Sequence, residues 1–174
     1  METLKFSNGD EMPAIGLGTW KSAPNEAFEA VLEAIKAGYR HIDCAHIYKN
    51  EKEIGEALSK ALKEGWVKRE DLWITSKLWN DCHEEQEVLP ALKTTLKNLQ
   101  LDFLNLYLIH WPVALKNGID FPKGKEDFLS PSEAPLSSTW EAMEQAVDMG
   151  LTRHIGLSNF NSRKISEILT YARI

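Results

Sequence analysis

What this chain has little of narrows the field first. Its 174 residues include only two cysteines, Cys44 and Cys82. That is too few for a disulfide framework, so a reducing, cytoplasmic location is expected. No stretch approaches the ~18 consecutive apolar residues of a membrane span, and no membrane partner is expected. The opening Met1-Glu2-Thr3-Leu4-Lys5-Phe6 lacks a basic n-region and an apolar core, so no secretory leader is predicted. Basic charge is also short. Lys and Arg total 20 against 26 Asp and Glu, a net charge of -6, which argues against nucleic acid as a partner. Gly16-Leu17-Gly18 follows an apolar run, but position 21 is Lys21. The third glycine of the dinucleotide-binding fingerprint is therefore missing. Cys44, His46, Cys82 and His83 lack zinc-ligand spacing, and no metal site is predicted.

What is present reads as an α/β chain forming a single domain over residues 1–174. With 43% hydrophobic and 26% charged residues it has an ordinary globular composition. A domain of this size buries roughly 70% of its unfolded surface. Residues 1–15 predict a hairpin: Leu4 and Phe6 alternate with polar neighbours, Asn8-Gly9 makes the turn, and Met12 and Ala14 resume the pattern.

Strand–helix alternation follows. Ile15–Gly18 reads as a short strand, and Pro24-Asn25 opens a helix with Phe28, Val31, Leu32 and Ile35 on one face, ending at Gly38. A strand near 40–43 leads to a helix with Ile54, Ala57, Leu58, Ala61 and Leu62. A strand over 72–77 leads to a helix with Val88, Leu92, Leu96 and Leu99, with Pro90 placed in its first turn. The strand 103–109 is apolar nearly throughout, as for a parallel strand covered on both faces. Prolines 112, 122, 131 and 135 then interrupt the pattern, and 112–135 is expected to be a long loop over the site. A helix over 138–149 (Trp140, Met143, Val147), a strand over 152–157 and a helix capped by Ser162, with Ile165, Ile168 and Leu169, complete about five β/α units. Strands starting near 40, 72 and 104 keep the rhythm of βαβ crossovers.

The chemistry lies at the strand ends. Asp43, Lys77, His110 and Asn159 each close an apolar run, and Tyr48 follows Asp43 closely. Singly, each has an ordinary explanation: a turn residue, a solvated strand end, a packed histidine, a helix start. In series at matched positions they suit the mouth of a barrel, where such folds keep their chemistry, better than the single switch point of an open sheet. Reduction of a carbonyl requires a proton for the developing alkoxide. A phenol with an ordinary pKa of about 10 is a poor donor at neutral pH, but a neighbouring ammonium favours its phenolate. Lys77 can supply that charge to Tyr48, Asp43 can hold Lys77, and His110 can donate a hydrogen bond to the carbonyl oxygen.

These residues also carry a resemblance. Gly38-Tyr39-Arg40-His41-Ile42-Asp43-Cys44-Ala45-His46-Ile47-Tyr48-Lys49-Asn50-Glu51, continuing to Ile54-Gly55, resembles the first signature of the aldo-keto reductases. Ile74-Thr75-Ser76-Lys77-Leu78-Trp79, Leu108-Ile109-His110-Trp111-Pro112 and Ile155-Gly156-Leu157-Ser158-Asn159-Phe160 resemble that family's third-, fourth- and fifth-strand segments. The likeness is nearest the aldose/aldehyde reductase branch, whose fold is a (β/α)8 TIM barrel capped by an N-terminal hairpin. It implies NADPH-dependent reduction of aldehydes or ketones with a catalytic tetrad of Asp43, Tyr48, Lys77 and His110. It further implies that Thr19, Trp20, Lys21 and Asp43 line the cofactor path and that Ser158 and Asn159 bind the carboxamide. Trp20, Trp79 and Trp111 would wall the substrate pocket with His110. Trp66, Trp73 and Trp140 are expected to be core residues.

In that family three more β/α units supply a glutamine for the carboxamide, an aromatic that stacks on the nicotinamide, and basic residues for the 2′-phosphate. None of those units lies within these 174 residues. The expectation is a partial barrel: a truncated reductase, monomeric at full length, that as a fragment folds poorly or self-associates and is inactive alone. The preference for NADPH over NADH then rests on the resemblance. The alternative expectation is a non-catalytic barrel piece that binds a partner, or a half-barrel that dimerises to close its edges.

Overall fold

The computed structural model describes residues 2–174. An antiparallel hairpin comes first: β1 (Thr3–Lys5) pairs with β2 (Glu11–Pro13), with Leu4 opposite Met12. Five parallel strands follow: β3 (Leu17–Gly18), β4 (His41–Asp43), β5 (Trp73–Leu78), β6 (Leu104–Ile109) and β7 (Thr152–Leu157). They pair strictly in chain order. A doubly wound sheet reverses its strand order at a switch point. This one does not, and the order is that of a (β/α) barrel in progress.

Helices α1 (Glu26–Lys36), α2 (Glu51–Lys63), α3 (Glu85–Leu99) and α4 (Leu136–Asp148) fill the crossovers, each packed on the next, and α5 (Ser162–Ile168) follows β7. Local sequence explains their ends. The chain leaves α1 at Gly38 with φ +97°, while the Gly38 and Tyr39 amides donate to the Ile35 and Ala34 carbonyls. That left-handed exit is one only glycine makes without strain. In α2, Gly55 serves packing instead: a Cβ there would collide with the Asn98 carbonyl and the Leu99 backbone at the end of α3.

Period-two alternation divides the strands. Ile42, Ile74, Leu78, Tyr107 and Ile109 face the helices and form the core with Val31, Ile54, Leu58, Leu92 and Met143. The opposite row, toward the barrel axis, carries His41, Asp43, Trp73, Thr75 and Lys77. Register fixes its level, with Asp43 paired to Thr75 and Lys77 to Leu108. The hairpin plugs the lower end. Phe6 packs on Trp73 and His154 at 5.4 and 4.3 Å between ring centroids, and His154 Nε2 lies 2.8 Å from Asp10 Oδ2.

Several expectations need correction. Pro90 is not in the first turn of its helix. α3 begins at Glu85, so Pro90 lies inside it. Pro90 deprives the Gln86 carbonyl of its helical partner, and Gln86 is an exposed residue of the first turn. The cap of α5 is Asn161, whose side chain accepts from the Lys164 amide at 2.9 Å, not Ser162. On that helix only Ile168 is buried, whereas Leu169 is 71% exposed. Leu106 and Leu108 of β6 are half-buried, because full cover is present only on the helix side. Trp66 is not core: its ring is exposed and lies under the Lys36 ammonium at 4.9 Å. Trp73 and Trp140 are buried. The loop 112–135 has internal order. Leu115 bridges Phe128, the Leu129 amide donates to the Ala114 carbonyl, and that of Lys116 to Asp127. Its apolar tie and short turn at Lys125–Asp127 were hidden by the prolines.

Candidate active site

Lys77 is the hub. It stands on β5, 6% exposed, where an unpaired ammonium would be costly. Its Nζ donates to both carboxylate oxygens of Asp43 and to the Cys44 carbonyl, all at 2.8 Å. Its remaining neighbour is the Tyr48 hydroxyl at 3.4 Å. The β4–β5 pairing dictates the first contacts, because Asp43 and Lys77 sit on the same face of adjacent strands, two residues apart in register. Tyr48 arrives differently, on the short turn His46–Tyr48 that is closed by Lys49 in the left-handed region at φ +59°.

His110 follows the last residue of β6, and its amide donates to the Leu78 carbonyl. Its ring meets that of Tyr48 edge-on at 5.8 Å and that of Trp79 at 5.0 Å. Burial, reinforced by the charge on Lys77, pushes its pKa down to about 4, so the imidazole is neutral at neutral pH. Among the described residues, His110 Nδ1 is enclosed without a hydrogen-bond partner.

These groups open on a cavity of about 580 Å³ at the C-terminal ends of the strands. Trp20, Trp79, Trp111, Phe121 and Phe128 form much of its wall, and Tyr48, Lys77, His110, Ser158 and Asn159 contribute polar groups. Trp79 is fixed by its indole N–H, which donates to the Asp120 carbonyl at 2.8 Å. Asn159, at φ +63°, donates from Nδ2 to the His110 carbonyl at 2.9 Å and to Ser158 Oγ at 3.0 Å. The tip of β7 is thereby tied to that of β6.

Thr19 and Lys21 do not reach this cavity. Thr19 is 1% exposed and its hydroxyl donates to the Asp43 carbonyl at 2.8 Å. Lys21 Nζ lies over the Trp20 ring at 4.5 Å. Conversely, Ile47, Asn80, Val113, Leu115, Phe121, Pro122 and Phe128 line it without having been singled out. Phe121 and Phe128 had one weak signal, as aromatics in a proline-rich loop after a strand tip. Among the described residues no group of His, Cys, Asp and Glu could hold a metal ion, and no helix is long and apolar enough to cross a membrane.

Strands paired in chain order, with polar groups gathered at their tips, define the mouth of a partial (β/α) barrel, and comparison with known proteins agrees on that fold. The model of the Aldo/keto reductase family matches residues 14–174. The chain is 52% identical over its whole length to an aldo/keto reductase of Synechocystis sp., covering 53% of that protein. It is 51% identical to human aldo-keto reductase family 1 member A1 over 168 residues, 95% of this chain and 52% of that one. The solved aldose reductase of Schistosoma japonicum superposes with a TM-score of 0.94 at 52% identity, over 100% of this chain and 58% of that one. The Bombyx mori aldo-keto reductase, solved in complex with NADP, gives 0.88 at 37% identity, covering 99% of this chain and 55% of that one. The chain belongs to the aldo/keto reductase family. It spans about half the length of the curated relatives it matches, and its fold is the corresponding part of their barrel.

Proposed function

We propose that this chain carries the proton-donating half of an NADPH-dependent reduction of aldehydes and ketones to alcohols, with Tyr48 as the donor. The observation that carries this reading is the saturation of Lys77: three acceptors at 2.8 Å hold its ammonium in place, and the Tyr48 hydroxyl is its next neighbour at 3.4 Å. A fixed positive charge beside a phenol stabilises the phenolate left once the proton has moved, which is the state a general acid must reach. Asp43 keeps that charge from leaving the pocket. His110 is neutral and its Nδ1 is enclosed, so Nε2 is the nitrogen left to donate to a carbonyl oxygen and aim it at the Tyr48 hydroxyl. The aromatic wall suits an apolar substituent on the substrate.

The tip of β7 fits a nicotinamide cofactor. With Asn159 Nδ2 spent on the His110 carbonyl and Ser158 Oγ, the Ser158 hydroxyl proton and Asn159 Oδ1 offer the donor and the acceptor that a carboxamide needs, on the cavity edge. When bound, the reduced nicotinamide supplies the hydride. Trp20 lies on the same edge, whereas Lys21, over its ring, and Asp43, whose backbone carbonyl accepts from Thr19, lie outside the cavity and would meet only a part of the cofactor that extends beyond it. Preference for NADPH follows the Bombyx mori relative, solved with NADP. A cytoplasmic location suits two unpaired thiols.

Incubation with an aromatic aldehyde and NADPH deuterated at the nicotinamide tests the reading: it predicts deuterium on the alcohol carbon, with transfer slowed at least about 100-fold in Tyr48→Phe. One observation favours a second reading, in which the surface of α5 takes a polypeptide partner: Ile165 on that helix and Leu169 just past its end are exposed. No cofactor-dependent quenching of tryptophan fluorescence, together with a stable hetero-complex, would favour it.

A further inference from the structure

Asn50 and Glu51 each depart from the ordinary behaviour of their position, and both departures occur directly after the turn that carries Tyr48. Asn50 occupies the N-cap of α2, where an asparagine usually accepts from the first-turn amides. Its side chain makes no such bond. It reaches instead to the residue after β3, where Nδ2 donates to the Thr19 carbonyl at 2.8 Å. Among the described residues its Oδ1 is buried with no partner, a cost that a cap in the ordinary pose would avoid. Glu51 opens α2 yet is only 3% exposed, a rare place for a carboxylate unless its oxygens are satisfied. They are: Oε1 accepts from Ser76 at 2.7 Å and Oε2 from Thr95 at 3.2 Å.

The destinations of these bonds are the informative part. Thr19, held by Asn50, donates its own hydroxyl to the Asp43 carbonyl at 2.8 Å. Ser76, held by Glu51, is the residue before Lys77 on β5. The two residues after the Tyr48 turn are thus anchored to the two places that set its charged neighbours, one through Thr19 to Asp43 and one through β5 to Lys77. Side chains that break a local rule without strengthening their own element concentrate at functional sites. We infer that Asn50 and Glu51 are positioning residues for Tyr48. They act through Thr19 and Ser76 to set the distance between the Tyr48 hydroxyl and the Lys77 ammonium. The Thr95 bond ties α2 to α3, and the Oε2 it reaches lies 3.7 Å from His46 Nδ1 at the start of the Tyr48 turn, beyond hydrogen-bond length, so the Thr95 hydroxyl has no bonded path through His46 to Tyr48. This rests on the reading of Tyr48 as proton donor.

Ser76→Ala and Thr95→Val separate the two roles, because each removes one hydroxyl from the same buried carboxylate. Both variants should melt at lower temperature. In the chain labelled with ¹³C at the tyrosine ring carbon that bears the hydroxyl, S76A and Asn50→Ala should displace and broaden the Tyr48 resonance, identified by its loss in Y48F, while T95V leaves it in place. Glu51→Gln, which keeps an acceptor for Ser76, should restore the resonance that Glu51→Ala displaces. In aldehyde reduction, S76A should lower kcat about tenfold with KM for the aldehyde unchanged, since a small displacement of a catalytic group is felt in the chemical step. Equal displacement of Tyr48 in S76A and T95V, or none in either, would overturn the proposal. If Y48F itself reduced aldehydes at the wild-type rate, the proton-donor reading would fail instead, and the resonances would still report whether the anchors hold the ring.

Discussion

Lys49 and Asp120 meet at 3.0 Å across 71 positions of sequence, and the backbone carbonyl of the same Asp120 accepts the Trp79 indole N–H at 2.8 Å. One residue of the loop 112–135 is thereby fastened both to the turn beside Tyr48 and to the cavity wall. Phe121, the next residue, packs edge-on against Trp79 at 5.8 Å.

The ionic fastening is half-exposed, so it contributes at most about 1 kcal/mol and is screened by salt. Lys49→Met should speed hydrogen exchange of the amides around Asp120, and high salt should have the same effect on the wild type. The Trp79 bond involves backbone and persists, so Trp79 fluorescence should move little. A large red shift in K49M would show that the ion pair, not the indole bond, holds the loop.

Asp43 and Lys77 differ in exposure, with side chains 36% and 7% accessible. Removing the acid therefore strands a buried ammonium that keeps only the Cys44 carbonyl and the Tyr48 hydroxyl. Asp43→Ala should cost about 2–3 kcal/mol of unfolding free energy, below the full value for a wholly buried pair because water reaches Asp43. Urea denaturation measures this. A loss under 0.5 kcal/mol would mean that Lys77 is satisfied without its acid.

His83 and His110 share one electrostatic fate, as burial pushes both pKa values down to about 4. In the unfolded chain both titrate near 6.5. Between these values the unfolded state binds more protons than the folded one. Stability should therefore be fully present above pH 6.5 and fall as pH drops toward 4. The imidazole C–H resonances should reach their midpoints near pH 4, and His83→Gln should flatten the acid limb of the stability curve. A midpoint near 6.5 for His110 would contradict its neutral, hydrogen-bond-donating state.

Gly55→Ala raises intrinsic helix propensity, worth up to about 1 kcal/mol in an open helix. Here the added methyl meets the end of α3. The expected outcome is a net loss of stability of about 1–3 kcal/mol, as for overpacking elsewhere. Thermal melting checks the sign, and a stabilised variant would show that α2 and α3 can part.

Much of this molecule was legible because its strongest signals are periodic or local. The apolar face of Val31, Leu32 and Ile35, the left-handed exit at Gly38 and the polar ends of β4, β5 and β6 each follow from a few neighbouring residues. What was illegible depends on distant partners. Nothing near Asn50 or Glu51 announces that their side chains bond to Thr19 and Ser76, and nothing near Trp79 announces Asp120. Trp66 reads as core, and Leu169 as one of the last helix's apolar residues, because hydrophobicity alone does not reveal whether a neighbouring element covers them. Pro90 misled by a few positions, since the helix start depended on Glu84 and Glu85 rather than on the proline.

The central claim is that Tyr48, held beside the Lys77 ammonium, donates the proton in carbonyl reduction. Its most direct test compares wild type and Tyr48→Phe in aldehyde-dependent oxidation of NADPH, with cofactor binding followed in parallel by tryptophan fluorescence. The account predicts a rate at least about 100-fold lower in Y48F, the usual contribution of a positioned general acid, with NADPH bound equally well. Equal rates in the two proteins would contradict it.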